Sequence, residues 1–568
     1  MDLAEVLRSA GLLDEQQVDM ARQAQADGQR LDEAAVELGL MTEEQALRAI
    51  GEAVGLPFID LAETDVDLSL LPSMPPGVIH HEWIFPIRQQ NGALVVATAD
   101  PLNFYAVDEL SATLGKPVQS VLATRSEIAK LIKAHLGVGS QTVDRLLAQS
   151  DDSMITVIDE GEADGSELSQ MAQEPSVVRL VNEILLEAIE MGASDVHVES
   201  EEHALRVRYR LDGVLHPQPM PPEIHRFRAA IISRVKIMAR LNIAERRLPQ
   251  DGRIELKAGG REVDVRVSVI PMIHGEGIVL RLLDKSRMTF SLTNLGMDAD
   301  SCATFRRLIT LPHGIILVTG PTGSGKTTTL YSALLEIRND QTKIITTEDP
   351  VEYKLAGINQ IQVHTKIGLT FADSLRSILR HDPDIVLIGE VRDLETAENA
   401  IQASLTGHLV FSTLHTNDAA GAYTRLTDMG VEPFIVSSTV DAVMAQRLVR
   451  TLCKQCRELY HPAKEDLPPD FPFEQISGGL YRAQGCRACR QVGYKGRIGL
   501  FELLVTTDRV RQLAHDRASN WMIRQAAAEQ GMRSLREDGW AKVLAGRTTL
   551  EEVVRVTKAN DIASDAAR

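Results

Sequence analysis

The eight residues Gly320-Pro321-Thr322-Gly323-Ser324-Gly325-Lys326-Thr327 complete the phosphate-loop pattern G-x-x-x-x-G-K-[ST]. The apolar run 314 to 318 ahead of them reads as a buried strand, and residues 330 to 337 read as helix. Strand, glycine-rich turn and helix in that order fix the local architecture. A backbone without side chains can wrap a phosphate tail and point its N–H groups inward, at the start of a helix opening near Thr328. Lys326 is then placed to reach the terminal phosphates of a nucleoside triphosphate, and Thr327 to hold Mg²⁺.

A chain of 568 residues is too long for one hydrophobic core, so three to five domains of roughly 100 to 200 residues are expected. The formal net charge of −19 argues against a nucleic-acid motor, because a polyanion needs a surplus of Lys and Arg on at least one face. No apolar stretch approaches the roughly 20 residues that span a bilayer, and the N-terminal residues lack a secretory pattern. A cytoplasmic protein is expected, one that reaches a membrane only through partners.

Along the chain, Leu3, Leu7, Gly11 and Leu12 recur as Leu31, Ala35, Gly39 and Leu40, with Glu15 and Gln17 matched by Glu43 and Gln45. Two similar helical hairpins are implied over 1–54. A small α/β module follows over 55–140, with a strand at 93 to 97 and a helix from 125 to 136. Residues 141–176 read as a flexible linker, acidic and without Lys or Arg from 151 to 170. A second mixed module over 177–290 opens with a helix (178 to 190), with strands near 195–198, 205–211 and 263–270. From 291 to 445 strands alternate with helices, the sign of a parallel sheet covered on both faces. Segments 344–346, 384–388 and 408–412 are its other expected strands. An insert spans 446–500, and the chain ends in helices over 501–568.

Triphosphate hydrolysis needs Mg²⁺, a positioned water and positive charge on the phosphate oxygens. The strand at 384 to 388 leads to Glu390, a carboxylate expected beside the phosphate loop as general base or Mg²⁺ ligand. The usual second nucleotide motif ends in Asp; here Gly389 stands at that place, and Glu348, closing the strand at 343 to 347, is the obvious second acid. His415 ends a neighbouring strand and is a candidate to sense the γ-phosphate or hold the water. Arg376 and Arg380, spaced i, i+4, would present two charges on one helical face, with Arg392 nearby. In the preceding module Arg253, Arg266 and Arg281 could close over the nucleotide from another domain or subunit, or be surface ion-pair partners.

Of the five cysteines, Cys453, Cys456, Cys486 and Cys489 form two C-x-x-C pairs. Four thiolates suit tetrahedral Zn²⁺ in a closed, structural site; redox pairs are the alternative. Cys302 reads as a small buried residue.

The stretches 345–352 (Ile-Thr-Thr-Glu-Asp-Pro-Val-Glu), 379–393, 403–408 and 412–417 (Ser-Thr-Leu-His-Thr-Asn) resemble the acidic box, variant second motif and His box of the secretion ATPase superfamily. The resemblance runs from about 177 to 568 and is strongest to the type II secretion ATPase, with the type IV pilus extension ATPase as its near relative. It implies a RecA-like P-loop core, a PAS-like domain before it, ATP, Mg²⁺ and Zn²⁺ as cofactors, and a homo-hexamer. In such a ring nucleotide sits between the 177–284 and 296–430 lobes, and turnover moves an inner-membrane platform protein that extrudes a pseudopilus. Arg266, Arg281, Arg376, Arg380 and Arg392 match family arginines near nucleotide, and Arg497 one near the cysteine insert.

The N-terminal repeat resembles a paired-motif domain that binds cyclic di-GMP in some members. Ala4 and Asp32 stand where that motif has glycine, and Asp2 where it has a basic residue. Asp32 would set a negative charge beside a phosphate. Docking to a membrane-anchored linker protein is therefore expected in place of cyclic di-GMP. A nucleotide-sensing module without turnover and a DNA translocase are the competing classes.

Overall fold

The computed structural model describes residues 2–25, 29–75, 78–79, 82–136, 155–157, 171–284 and 290–558. It divides into two compact units, Met1–Ser286 and Arg287–Arg568.

In the first unit the helices Leu3–Ser9, Glu15–Ala24, Leu31–Glu37 and Glu43–Val54 form the two expected hairpins. The repeated residues are those that start and stop helices. Gln17 and Gln45 are the third helical residues of two capping boxes whose caps are Asp14 and Thr42. Gly11 and Gly39 take left-handed φ of 70° and 71° where a helix must end. Asp32 is buried, and Arg30 pairs with it at 2.7 Å and also with Asp100.

Strands Ile84–Gln90 (β1), Ala93–Thr98 (β2) and Val118–Leu122 (β3) form a small sheet with helices Phe104–Leu114 and Arg125–Leu136. Most of the acidic segment 141–176 lies outside the described residues. Within it Ile155–Val157 (β4) pairs with a later strand, and helix Pro175–Met191 has already begun.

The second module is a seven-stranded antiparallel sheet. To β4 it adds Asp195–Ser200 (β5), Leu205–Leu211 (β6), Val214–Gln218 (β7), Gln250–Ala258 (β8), Arg261–Met272 (β9) and Gly275–Asp284 (β10), in the order β4-β8-β9-β10-β5-β6-β7. Alternate residues Val263, Val265, Val267 and Val269 are buried with helices Pro175–Met191 and Arg228–Met238, as a sheet with one covered face requires. The buried Lys236 pairs with Glu276 at 2.5 Å.

The second unit is built on Gly314–Thr319 (β11), Ile344–Glu348 (β12), Asn359–Gln362 (β13), Ile385–Ile388 (β14), Leu409–Leu414 (β15), Val440–Leu452 (β16) and Tyr494–Val505 (β19). Their order is β13-β12-β14-β15-β11-β16-β19, parallel except for β19. Both faces are covered. Ile315, Leu317, Val386 and Val410 pack with helices Phe371–Ile378, Leu394–Leu405 and Gly421–Asp428, whereas Ile316, Val318, Leu387 and Phe411 pack with Ala299–Leu308 and Lys326–Ile337. That is why these strands are continuous apolar runs in the sequence.

The sheet runs on past residue 445 in β16 and resumes before residue 500 in β19, so the cysteine segment is the link between two antiparallel neighbours. It carries a two-stranded ribbon, Glu458–Tyr460 (β17) and Leu480–Arg482 (β18). Helix Phe371–Ile378 stops before Arg380, whose guanidinium instead donates to the Arg376 carbonyl at 2.8 Å, a cation closing a helix C-terminus. The shared helical face expected for Arg376 and Arg380 is therefore not formed.

Candidate nucleotide site and cysteine cluster

In a parallel sheet the residues just past the strand C-termini meet at one edge, where ligands bind. The neighbours β12, β14, β15 and β11 bring Glu348, Glu390, His415 and the phosphate loop to that edge. Side-chain oxygens lace the edge together. Thr413 donates to the Gly389 carbonyl at 2.7 Å, Ser412 to that of Ile388 at 2.9 Å, and Thr319 Oγ1 accepts the Thr416 N–H at 2.8 Å.

The loop has the backbone its glycines permit, with φ of 149° at Gly320, 78° at Gly323 and 92° at Gly325. A Cβ on Gly320 would lie 2.5 Å from the Gln446 carbonyl oxygen and 3.1 Å from the Arg447 guanidinium. Only glycine lets β16 come this close. Helix Lys326–Ile337 starts on Gly325, and its first i→i−4 bond runs from the Thr329 N–H to the Gly325 carbonyl at 3.1 Å. The N–H groups of Lys326, Thr327 and Thr328 precede that bond and face the loop side, as an anion requires. Thr327 is exposed at this helix start; Pro321 and Thr322 are exposed on the loop.

Lys326 Nζ donates to the carbonyls of Gly320 at 2.7 Å and Pro321 at 3.3 Å, positions a phosphate oxygen would displace. Burial lowers its pKa, Glu390 raises it and Arg447 lowers it again, to about 8. A bound polyanion restores the ammonium. Nucleotide binding between about pH 7.5 and 9 should therefore take up protons, read as a dependence of calorimetric binding heat on buffer ionisation enthalpy, and the uptake should vanish near pH 6, where Lys326 is already charged.

Glu390 is 14% exposed; Arg392 holds its Oε1 at 2.6 Å and His415 Nε2 lies 3.3 Å from its Oε2. That second oxygen makes no well-formed hydrogen bond, and neither do the buried Ser324 Oγ and Thr347 Oγ1. An acidic oxygen without a donor, on the strand edge that also carries the phosphate loop and the exposed Thr327 hydroxyl, is of the chemistry that suits Mg²⁺ and its water ligands.

Glu348 sits differently. It is buried, with Oε1 accepting from Thr346 at 2.6 Å and Gln360 at 3.1 Å, and Oε2 accepting from the Tyr331 hydroxyl on the phosphate-loop helix. Burial and the Glu348 charge raise the Tyr331 pKa, so the phenol stays protonated and donates. Arg376 is tied to Asp373 and Glu395. In the first unit Arg281 pairs with Asp195 at 3.1 Å, Arg253 with Asp264 at 2.6 Å, and Arg266 faces Arg253 and Arg281 across the ladders.

Two residues at the site have no signal in the sequence. Gln446 Oε1 accepts from Thr329 at 2.8 Å, and Arg447 donates to the Gln446 carbonyl at 3.0 Å and the Asn417 carbonyl at 3.0 Å. Both lie on β16, far from the loop in sequence, and only the β11–β16 pairing brings them there.

The four sulfurs of Cys453, Cys456, Cys486 and Cys489 lie within 4.8 Å of one another. Neighbouring pairs are 3.9 Å (453 and 486), 3.6 Å (456 and 489) and 3.7 Å (486 and 489) apart. Tetrahedral zinc with Zn–S near 2.3 Å requires about 3.8 Å. The N–H groups of Cys486 and Gly493 donate to Cys489 Sγ at 3.1 and 3.2 Å, and that of Gly485 to Cys456 Sγ at 3.4 Å, the outer contacts that stabilise thiolates. The cluster fits Zn²⁺.

A family model described as type II/IV secretion system protein matches residues 170–555. The chain belongs to this family. A second model, the MshEN domain, matches residues 54–142, the α/β module, and not the helical repeat before it. Among relatives of this secretion-system family, the chain is 43% identical over 557 residues to the type IV pilus assembly ATPase PilB of Myxococcus xanthus, covering 97% of this chain and 98% of that one. It is 46% identical over 546 residues to type II secretion system protein E of Xanthomonas campestris, covering 95% of each. It is 53% identical over 382 residues to type II secretion system protein HxcR of Pseudomonas aeruginosa, covering 67% and 77%. Among the described residues no helix is long and apolar enough to cross a membrane.

Proposed function

We propose that this secretion-family member is a Mg²⁺-dependent ATPase that drives pseudopilus assembly and protein export in a type II secretion system. It works as a ring of six on the cytoplasmic face of the inner membrane. The observation that carries the chemistry is the meeting of the phosphate loop, Glu390 and His415 at one sheet edge. Relatives named type II secretion system protein E support the system. The near full-length match to PilB supports type IV pilus extension as the second reading.

In the proposed cycle the loop N–H groups cradle the phosphates and Lys326 leaves its carbonyl partners for the β- and γ-phosphates. A water oxygen attacks the γ-phosphorus as the bond to ADP breaks, and the water proton passes to Glu390 Oε2, with His415 holding the water. Thr327 and Glu390 would hold Mg²⁺, which would supply charge neutralisation at the phosphate oxygens. Glu348 keeps the loop helix in register through Tyr331 and is the second acid of the site. Arg376, Arg380, Arg392, Arg266 and Arg281 are proposed to add charge around the nucleotide. Zn²⁺ clips the link between β16 and β19, and the N-terminal domains dock to the inner-membrane linker protein.

Multiple-turnover phosphate release from ATP by the assembled full chain, lost when EDTA replaces Mg²⁺, tests the enzyme. A chain that binds ATP but releases no phosphate would leave a nucleotide sensor. Capture by the type II linker protein and not by its pilus counterpart tests the system; the reverse would favour pilus extension.

A further inference from the structure

Glu502 on β19 is 1% exposed, and no step above uses it. A buried carboxylate is costly unless it is hydrogen-bonded. Its Oε1 accepts the Ala419 N–H at 2.8 Å and its Oε2 the Leu535 N–H at 3.3 Å. Leu535 is the first residue of helix Leu535–Leu544, where negative charge is stabilised, and Ala419 lies two residues ahead of helix Gly421–Asp428. Burial nonetheless raises its pKa.

Ala419 closes the loop that leaves β15 through His415, and every residue from Thr416 onward in that loop is held. Thr416 is bonded to Thr319 at the end of β11, and the Asn417 carbonyl accepts from Arg447. Asp418 Oδ1 accepts from the Gly421 N–H at 2.8 Å and from Asn520 at 3.2 Å, and Arg524 lies 3.7 Å from its Oδ2. Ala419 rests on Glu502. One end of the loop is thus fixed to the phosphate-loop strand and the other to a buried acid shared with the C-terminal helices. Arg447 joins the two: it stands on β16 two residues past Ala445, the ladder partner of Glu502, and it grips the loop through the Asn417 carbonyl at 3.0 Å, while Glu502 and Asp418 favour its charged form.

We propose that Glu502 is a positioning residue of the nucleotide site, acting through the 416–419 loop on His415 and through Arg447 on the phosphate loop. The proposal rests on the triphosphate-cleaving reading above. It predicts that the C-terminal helices are part of the machinery that sets turnover.

The test is a double-mutant cycle in the assembled full chain with Glu502→Gln and Arg447→Ala, reading kcat and KM for ATP. Gln keeps the shape but lacks the charge, and its amide cannot accept from both N–H groups. Each single variant should lower kcat/KM about tenfold, and the double should be little worse than either, since both act through one contact path. Independent effects, giving about a hundredfold loss in the double, would overturn the proposal, as would a Glu502→Gln enzyme within about twofold of the parent. If Glu502→Gln fails to fold, Asn520→Ala removes the partly buried grip on Asp418. It should lower kcat about threefold with unchanged zinc content and melting temperature; no change in kcat overturns the proposal. A parent chain without phosphate release would bring down the enzyme reading and this proposal together, whereas an active parent with an indifferent Glu502→Gln brings down the proposal alone.

Discussion

Lys326→Ala is expected to abolish turnover. Its ammonium is the one cation on the loop itself, half-buried and bonded to two loop carbonyls that it must exchange for phosphate oxygens. Charge stabilisation on transferring phosphoryl groups is the main catalytic resource of such sites, and loss of a single positioned donor costs about 10²–10³-fold. Lys326 acts on binding as well, so kcat/KM should fall by about three orders of magnitude or more. The methyl side chain leaves the loop glycines and the helix start untouched. Melting temperature and zinc content should therefore match the parent, and retention of more than about a tenth of parental kcat/KM would contradict the role assigned to Lys326.

The second large effect is on the cysteine cluster. Cys489 is buried, receives two backbone N–H groups and lies beside the sulfurs of Cys456 and Cys486. Binding free energies of structural zinc are of order 10 kcal/mol, and in small metal-held segments they are folding free energy. Cys489→Ser replaces a thiolate by a hydroxyl that does not ionise near neutral pH. Zinc measured by atomic emission should drop from one per chain to near none, and hydrogen exchange between Cys453 and Gly493 should rise sharply. Loss should spread to the paired ends Leu452 and Tyr494, and along β16 toward Arg447, so phosphate release should fall as well. A variant that keeps one zinc per chain and parental protection would contradict a four-thiolate site.

Local patterns carried much of the design. The loop, the continuous apolar strands β11, β14 and β15, and the paired C-x-x-C knuckles each sit within a short window of sequence. The helical repeat was legible too, and its repeated Gln and Gly residues proved to be capping-box and helix-ending positions. Long-range pairing was not legible. Gln446 and Arg447 carry no pattern of their own and reach the loop only because β16 lies beside β11. Glu348 and Glu390 look alike in sequence, each closing a strand. One is saturated by Tyr331, Thr346 and Gln360, while the other keeps an oxygen without a hydrogen-bond donor, a difference set by what the phosphate-loop helix and the neighbouring β13 present to Glu348. Arg376 and Arg380 have helical spacing, but the helix ends at Ile378 before the second of them.

The most direct test of the central claim is Glu390→Gln in the assembled chain, with ATP affinity and multiple-turnover phosphate release measured on the same preparation. Gln fills the same space between Arg392 and His415 but cannot take a proton from water. ATP should bind within a few-fold of the parent while kcat falls about 10²–10⁴-fold. Phosphate release at close to the parental rate would contradict the assignment of Glu390 to the cleavage step.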